Sequence, residues 1–381
     1  MKVLFFIPQQ IASDPVSQQF AEVLQASVGR YEETSAVSSV AAFRQSLHDA
    51  SPDLIHMLGC PGHSAHQAML RAMRQKLPVV VSTMSQLMPW CHPSLFDNRL
   101  KSVEQADAIH VWSQLEDTEM RKNKSLERIQ LVANCVVTNS ISAEQMALRM
   151  TALYQKVIDS NTFRLMNTIE KQAETLLLRK GLERDEYCYH LTAEDIQLLQ
   201  DLTEDSWRKI IIHANNEDIM NIIRQGAEEL DLRGINTPTD RIKRFPQKIR
   251  KPKGRLSTTE LISKNHITKT IIDNLRVDEK PSPLEMEICL MMHNLNHLLE
   301  SSQPVSRHYL VQAYTLLRFN DYDEDKLSRM LKRLKLDKFA SRLLAIFDDT
   351  FAIGEGFSPL PLIDDRTTDH LRQTLSDLNI Q

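Results

Sequence analysis

The sequence predicts an α/β protein that continues into an all-α region: a Rossmann-like, doubly wound parallel sheet of about six strands, followed by helices. Three observations lead to this fold class. Short apolar runs in the first part of the chain lack polar alternation, as strands buried on both faces do. Amphipathic segments with a 3.6-residue period separate these runs, which is typical of βαβ units. Beyond Asn161 the periodic segments are all helical.

The strands are expected where β-branched or aromatic residues cluster between polar residues, proline or glycine. These runs lie at Val3–Ile7, near Tyr31, and at Leu54–Leu58, Val79–Ser82, Ile109–Ser113 and Ile129–Ala133. Helices are expected between them at Val16–Val28, Val40–Ala50 and Ser64–Gln75, and another begins with the acidic turn Glu116–Arg121. Strands and helices therefore alternate over the first part of the chain.

Four regions follow from these patterns: a Rossmann-like domain at 1–160, a helical segment at 161–232, a basic proline-rich linker at 233–256 and a helical domain at 257–381. The later helices are expected at Thr162–Arg179, Thr192–Asp201, Thr203–Ala214, Glu217–Leu230, Thr259–Leu275, Pro283–Glu300, Ser306–Arg318, Glu324–Leu334 and Lys338–Phe347. Thr192 and Thr203 stand where N-caps are expected, since a threonine hydroxyl can accept a hydrogen bond from the first turn.

Composition limits the class of protein. The chain has 381 residues, 42% hydrophobic and 25% charged, and a formal charge of −4, which gives no overall attraction to nucleic acid. It lacks an apolar run of about 20 residues, so no transmembrane segment is expected. The first residues read as a strand rather than a signal peptide, and the five scattered cysteines do not form a disulfide framework. A cytoplasmic location is therefore predicted.

The loops after the strands are the predicted ligand-binding region, because ligands of doubly wound sheets bind beyond the carboxyl ends of the strands. These loops are Pro8–Pro15, Gly59–His63, Thr83–His92 and Ser113–Glu116. The first has no glycine, and the whole chain has nine, so a glycine-rich phosphate loop is not expected. Gly59-Cys60-Pro61-Gly62-His63 keeps two glycines and is the better candidate for ligand contact.

Three short stretches carry a family resemblance. Thr83–Trp90 reads Thr-Met-Ser-Gln-Leu-Met-Pro-Trp, Ala106–His110 reads Ala-Asp-Ala-Ile-His and is followed by Ser113 with Glu116, and Val132–Val136 reads Val-Ala-Asn-Cys-Val. Over about residues 1–160 the chain resembles the acceptor-side, N-terminal domain of B-type glycosyltransferases of the family 4 kind. The family commonly has Pro-His-Gly-Met-Leu-Glu-Pro-Trp in the first stretch, and its polar members are replaced here.

The replacements fall at residues that the family uses for its chemistry. The family histidine, usually near the sugar acceptor, falls on Met84, its glycine on Ser85 and its glutamate on Met88. In the third stretch the family proline and glycine have become Ala133 and Cys135. The resemblance therefore implies the backbone of the family's acceptor-side domain without its motif histidine.

The resemblance also implies what the protein does. An active member would be a hexosyltransferase of polysaccharide biosynthesis, which moves a sugar from a nucleotide sugar to a saccharide acceptor. Here the amphipathic helix that Ser142 caps follows Asn134 almost at once and resembles the family's final helix, so the donor domain is missing. The resemblance thus implies a degenerate or partner-dependent form, a pseudoenzyme without a cofactor. It would bind a saccharide or nucleotide sugar through Gly59, Cys60, Gly62, His63, Thr83, Met84, Ser85, Trp90, Ser113 and Glu116.

A different class of function is the alternative: a non-enzymatic scaffold or adaptor that recruits a protein partner through its helical region. Part of that region, Met291–His297, Arg307 and Asp325–Ala340, resembles the C-terminal helices of a group of uncharacterised bacterial nucleotidyltransferases. The Gly-Ser and paired-Asp signature of that group is absent, and its aspartate four positions after the arginine is Val311 here. Nucleotidyl transfer is therefore not expected.

The basic segment within the linker is predicted to be a solvated arm rather than a nucleic-acid site. Its cations are Arg241, Lys243, Arg244, Lys248, Arg250, Lys251, Lys253 and Arg255. Binding through summed charge would weaken steeply with salt. Phe245 is the one aromatic residue available there for stacking on a base, so nucleic acid is not expected as a partner.

Several titratable residues have spacings that suit chemistry, and each has a plainer explanation. Zinc-type donors occur at Cys60, His63 and His66, and at Cys91 and His92 on the next predicted loop. They lack the closely spaced ligand pairs that are usual in structural zinc sites, so no metal is expected. His293 and His297 share a helix face near Glu285 and Glu287, and a half-buried helix explains them.

Other residues of the first domain suit acid–base chemistry or a pocket. His63, His110 and Asp107 could act as acid or base, and a structural role is favoured for Asp107. Met69, Met73, Met84 and Met88 could line an adaptable pocket but are more often core residues.

Overall fold

A computed structural model describes residues 1–91, 96–123, 125–138, 140–184, 191–238, 242–245, 266–301, 305–351, 353 and 358–377. The chain divides into two compact units. Unit 1 comprises Met1–Leu165 with Asp240–Gln247, and unit 2 comprises Met166–Thr239 with Lys248–Gln381.

Unit 1 contains a six-stranded, all-parallel sheet, which confirms the predicted fold class. Its strands are β1 Lys2–Phe6, β2 Glu33–Val37, β3 Leu54–Leu58, β4 Val79–Ser82, β5 Ala108–Val111 and β6 Ile129–Leu131. They lie in the order β2-β1-β3-β4-β5-β6. Because the order reverses at β1, the topological switch point lies between β1 and β3, where doubly wound sheets open a crevice at their carboxyl ends.

The helices of unit 1 lie between and after the strands. They are α1 Gln9–Ala12, α2 Pro15–Val28, α3 Val40–Asp49, α4 His63–Arg74, α5 Phe96–Val103, α6 Gln114–Arg121, α7 Ala143–Ser160 and α8 Thr162–Leu165. Short polar side chains cap several of them: Asp14, Ser39, Ser113 and Ser142 each accept a hydrogen bond from a first-turn amide. The loop predicted at Pro8–Pro15 therefore includes one helical turn, α1.

The sheet is buried on both faces, which explains why its strands read as apolar runs. Along β1, Val3 and Phe5 pack with α2 and α7, whereas Leu4 and Phe6 pack in the cluster on the opposite side of the sheet. The alternation follows from the two-residue period of a strand. Strand β2 is the exception: it lies two residues beyond the Tyr31 position predicted for it, and its side chains are half-buried or exposed.

Unit 2 is helical in the residues that the structure describes. Its helices are α9 Thr168–Gly181, α10 Ala193–Gln200, α11 Glu204–Asn216, α12 Met220–Glu229, a 3-10 helix at Arg233–Asn236, α13 His266–Asp278, α14 Pro283–Glu300, α15 Arg307–Arg318, α16 Glu324–Arg333, α17 Asp337–Phe351 and α18 Arg366–Asp377. Thr192 and Thr203 cap α10 and α11, as the sequence predicts. The sequence pattern does not mark α18.

The single helix predicted at Thr162–Arg179 is wrong, because the chain breaks into α8 and α9. Asn167 forms a capping box at the break: its side chain accepts from the amide of Glu170, and the Glu170 carboxylate accepts from the Asn167 amide. These two bonds satisfy donors that a new helix start leaves open. The predicted residues 259–265 of the helix before Leu275 lie outside the described part of the chain.

Phe245 is buried, which corrects the interpretation of the linker as exposed at that residue, whereas Lys243 is exposed as predicted. The Phe245 side chain is 4% exposed and belongs to the α2–α7 core of unit 1. Its amide donates to Ser160 Oγ over 2.8 Å, and the Lys156 ammonium lies 4.0 Å from its ring centroid. Phe245 therefore presents no free aromatic face. Of the basic arm, Lys243 and Arg244 lie in the described residues, and Arg241, Lys248, Arg250, Lys251, Lys253 and Arg255 lie outside them.

No described helix combines the length and the apolar composition that crossing a membrane requires.

Helices α9 and α12 approach closely through glycines. A Cβ at Gly226 would overlap the carbonyl oxygen of Leu177, and one at Gly181 would overlap that of Ile222. Gly226→Ala is therefore expected to lower the free energy of unfolding by about 1–3 kcal/mol, the usual cost of overpacking a close contact. Urea denaturation measures the loss. Arg224→Ala is the control, because Arg224 lies on the exposed face of the same helix; equal losses in the two variants would contradict the packing argument.

Candidate functional site

Three loops meet at the carboxyl edge of β3, β4 and β5. The side-chain oxygen of Gln86, after β4, accepts the amide of Cys60, after β3, over 2.8 Å. The indole N–H of Trp112, at the end of β5, donates to Ser85 Oγ over 2.8 Å. These two bonds join the loops into one surface, which we call the carboxyl-edge site: Gly59–Ser64, Thr83–Trp90 and Trp112–Glu116.

A buried carboxylate organises this site. Glu116 is 0% exposed. Its Oε1 accepts from the Thr83 hydroxyl at 2.5 Å and the Ser85 amide at 2.6 Å, and its Oε2 accepts from the Trp112 amide at 3.1 Å. Burial raises the pKa of Glu116, and the hydrogen bonds from these donors only partly oppose that rise. Both oxygens of the Glu116 carboxylate therefore accept hydrogen bonds from groups of the protein itself.

The loop that Glu116 holds has an unusual backbone. Met84 and Ser85 have φ angles of 49° and 60°, in the left-handed region that favours glycine. Two successive residues of this kind cost about 1–3 kcal/mol each and persist only where the surroundings enforce them. The bond from the Ser85 amide to Glu116 is such a constraint, so the fold maintains this loop shape at a cost.

Gly59 lies at the switch point and has to be glycine. Its φ is 80°, and a Cβ there would lie 2.8 Å from Cδ1 of Ile11. Ile11 belongs to α1 and is 3% exposed. The apolar side chain after β1 therefore packs directly on the turn after β3, and no room remains between them for a larger residue.

The first turn of α4 is open. Gly62 is its N-cap and offers no side-chain hydrogen bond, and the turn contains no acidic residue. Gly62, His63 and Ser64 are exposed. The first amides of a helix lack partners within the helix and carry its partial positive charge, so an uncapped and exposed start can accept an anion.

The structure brings most of the predicted ligand-binding residues together. Seven of them lie at the Glu116 carboxylate or on the loops joined to it: Gly59, Cys60, Thr83, Met84, Ser85, Ser113 and Glu116 itself. The other three, Gly62, His63 and Trp90, lie on exposed parts of the same edge. Trp90 is 63% exposed. Burial raises the pKa of Cys60 to about 12, with Arg99 opposing, so its thiol stays protonated at neutral pH.

Asp107 and His110 do not face the carboxyl edge. Asp107 precedes β5 at the opposite edge, where it accepts from the Val79 amide and from Arg164, each at 2.8 Å. His110 is enclosed: one ring nitrogen contacts Ser82 and the other the carbonyl of Val132. Asp107 thus ties the strands and α8 together, and His110 cannot reach a ligand.

The described residues contain no group of three His, Cys, Asp or Glu side chains placed to hold a metal ion. His66 is half-buried, and burial with the neighbouring charge of His63 lowers its pKa. His92 lies outside the described residues.

Arg307 and His293, which belong to the nucleotidyltransferase resemblance, lie in unit 2. Arg307 lies 2.7 Å from Oε2 of Glu174, and His213 Nδ1 lies 2.6 Å from Oε1 of the same carboxylate, which is 0% exposed. Burial alone would raise the pKa of Glu174, but Arg307 and His213 hold it below its ordinary value. Arg307 therefore neutralises a buried charge. Burial also lowers the pKa of His293.

Sequence reasoning missed Gln86 and Trp112, the two residues that join the loops. Both had a usable signal, because Gln86 lies within the Thr83–Trp90 stretch and Trp112 ends an apolar strand at the ligand edge. Their partners, Cys60 and Ser85, are distant in sequence and could not be assigned from it.

Comparisons with known proteins return no match to a family model, to a curated protein or to a solved structure. The glycosyltransferase resemblance therefore remains an expectation drawn from the motif residues.

Removing the Glu116 carboxylate is expected to destabilise unit 1 strongly. Glu116→Ala leaves the amides of Ser85 and Trp112 without this acceptor and leaves the Thr83 hydroxyl with a 3.4 Å contact to the His110 carbonyl, which predicts a loss of about 3–5 kcal/mol in the free energy of unfolding. Urea denaturation followed by tryptophan fluorescence measures it. Glu119→Ala is the matched control on the same helix, because Glu119 pairs with the exposed ammonium of Lys122 and its loss should cost at most about 1 kcal/mol. Similar losses in both variants would contradict the role given to Glu116.

Glu116→Gln adds a test by pH. Because the folded pKa of Glu116 is raised above 4.5, the folded state takes up a proton at a higher pH than the unfolded chain. The wild type should therefore gain stability relative to Glu116→Gln as the pH falls through that raised value. A difference that is constant with pH would argue against a buried, ionisable carboxylate.

Proposed function

We propose that unit 1 is a glycosyltransferase-like recognition lobe, which binds a saccharide or nucleotide sugar at the carboxyl-edge site and does not transfer a sugar on its own. The observation that carries this proposal is the left-handed backbone at Met84 and Ser85, held by the buried carboxylate of Glu116. Backbone held in a costly conformation at the ligand edge of a doubly wound sheet favours a role in binding.

The chemistry of the edge suits such a ligand. The exposed indole of Trp90 offers a flat apolar face on which a sugar ring can pack. The open start of α4 at Gly62 suits the phosphate groups of a nucleotide sugar. Both lie on loops that follow neighbouring strands, β3 and β4, whose spacing in a sheet is about 4.8 Å.

Recognition is favoured over catalysis because, apart from the exposed His63, the titratable candidates at or behind this edge are engaged or protonated. Glu116 accepts from three donors, and His110 is enclosed between Ser82 and Val132. Cys60 is protonated at neutral pH. A general acid or base must reach the reacting proton, which none of these three can do.

Calorimetry of the full chain tests the proposal with UDP- and GDP-linked hexoses and with neutral oligosaccharides. Gly62→Asp adds a carboxylate at the start of α4 and caps the helix. We expect it to weaken nucleotide-sugar binding about tenfold or more, because two like charges about 5 Å apart repel by roughly 3 kcal/mol at an effective dielectric of 20. Gly62→Asn caps the helix without charge, so it competes for a first-turn amide but adds no repulsion, and it should weaken binding less than Gly62→Asp does.

Trp90→Ala separates the two ligand classes. It should weaken neutral oligosaccharides and nucleotide sugars alike, whereas Gly62→Asp should leave neutral oligosaccharides unaffected. The proposal fails if the wild type shows no saturable binding across the panel. Recovery of a stable protein complex through the helical region would then support the scaffold or adaptor alternative.

A further inference from the structure

A chain of polar side chains crosses the core of unit 1 on the side that packs with α2 and α7. Its members are Tyr154, His56, Ser82 and His110, and none is more than 1% exposed. Tyr154 Oη lies 2.7 Å from His56 Nδ1, His56 Nε2 lies 2.6 Å from Ser82 Oγ, and Ser82 Oγ lies 2.6 Å from His110 Nδ1. His110 Nε2 then lies 2.9 Å from the carbonyl oxygen of Val132.

The hydrogen bond between His110 and the Val132 carbonyl determines which atom donates in every other hydrogen bond of the chain. A carbonyl oxygen only accepts, so His110 Nε2 must carry a proton, and in the neutral ring Nδ1 is then an acceptor. The Ser82 hydroxyl therefore donates to His110 and accepts from His56 Nε2. His56 Nδ1 is consequently an acceptor, and the Tyr154 hydroxyl donates to it. All four donors point one way, from α7 through β3 and β4 to β5, and each is satisfied.

The side chains around this polar chain provide little stabilisation for a positive charge. From β1 the ring of Phe5 lies 5.3 Å from that of His56, and from α2 the ring of Phe20 lies 6.2 Å from that of His110. Trp112 packs on Phe20 from β5. The charged group that acts on the chain is Glu32, which raises the pKa of Tyr154 after the larger effect of burial and is itself paired with the Met1 amino group at 2.9 Å.

We propose that this chain is a pH-sensitive lock on unit 1: neutral, it ties β3, β4, β5 and α7 together, and the uptake of one proton releases it. The proposal is independent of any ligand. It uses buried groups that the carboxyl-edge site does not need.

A single proton breaks the lock because, once it is added, no arrangement of the four side chains gives every donor an acceptor. If His110 is protonated at Nδ1, that N–H faces the Ser82 O–H. In one arrangement Ser82 Oγ accepts from both His56 and His110, which leaves the Ser82 O–H without an acceptor among the four side chains. In the other, Ser82 donates to His56 Nε2 and His56 Nδ1–H donates to Tyr154. The Tyr154 proton then needs an acceptor outside the four side chains, in a position that is 0% exposed. Each alternative leaves a buried charge or an unpaired donor, and both are costly.

The direction of the pKa shifts agrees with this geometry. Burial, with a contribution from His110, lowers the pKa of His56 well below 6.5, and burial lowers that of His110 to about 4 despite the bond to Val132. In the unfolded chain both should titrate near 6.5. Unfolding therefore takes up protons between pH 6.5 and about 4, and stability falls as the pH falls through that window.

Nuclear magnetic resonance of the imidazole nitrogens in the unmodified full chain tests the lock first. At pH 6 we expect both His56 and His110 to be neutral with the proton on Nε2. A proton on Nδ1 of either ring, or titration of either between pH 6 and 7, would overturn the proposal. This measurement needs no variant, so it stands even where a substitution prevents folding.

Amide exchange of β3, β4 and β5 in the full chain tests the release. The opening equilibrium should rise about tenfold per pH unit for each proton taken up between pH 6.5 and 4. His110→Gln keeps a donor and an acceptor but has no titrating proton. For each pH unit, the opening equilibrium of this variant should therefore rise by about tenfold less than that of the wild type. His48→Gln, with its side chain 94% exposed, is the control and should leave the dependence unchanged. Equal slopes for His110→Gln and the wild type would refute the lock.

Discussion

The carboxyl edge of unit 1 depends on the burial of one carboxylate. A carboxylate removed from water is costly unless donors replace its hydration, and Glu116 obtains them from the Thr83 hydroxyl and from the amides of Ser85 and Trp112. These donors come from the ends of β4 and β5, so the requirement for them fixes both loops at once. The left-handed backbone of Met84 and Ser85 is a consequence of that requirement.

The edge and the interior meet at the end of β4. Ser82, its last residue, is the centre of the buried chain of Tyr154, His56 and His110, and the next residue, Thr83, donates to Glu116. The Thr83 amide also donates to the carbonyl of His110 over 3.1 Å. Two polar systems thus share one strand end. A change that displaces the end of β4 should disturb the core and the carboxyl-edge site together.

Much of the fold could be predicted because its signals are local. Leu54–Leu58 and Val79–Ser82 are apolar runs bounded by polar residues or proline, and their predicted ends agree with β3 and β4. The strand predicted near Tyr31 was the least sharply placed, because β2, Glu33–Val37, is a polar edge strand without such a run. The break before α9 was missed because apolar periodicity continues through Asn167, and only its cap ends the preceding turn.

The candidate site was predictable in place but not in detail. The rule that parallel sheets bind ligands at their carboxyl edge is sufficient to select the loops after β3, β4 and β5. The burial of Glu116 depends on Thr83, which is 33 residues away, and the enclosure of His56 depends on Tyr154, which is 98 residues away. Contacts between residues so far apart in the sequence result from tertiary packing, and local patterns in a single sequence do not predict them.

An amide resonance map of the full chain, with and without a saturating nucleotide sugar such as UDP-glucose, tests directly whether the carboxyl-edge site binds this ligand. The account predicts shifts concentrated at Gly62–Ala65 and at Thr83–Trp90, with the β2 edge and the helices of unit 2 unchanged. Shifts confined to unit 2, or none at any residue across the UDP- and GDP-linked hexoses, would contradict it.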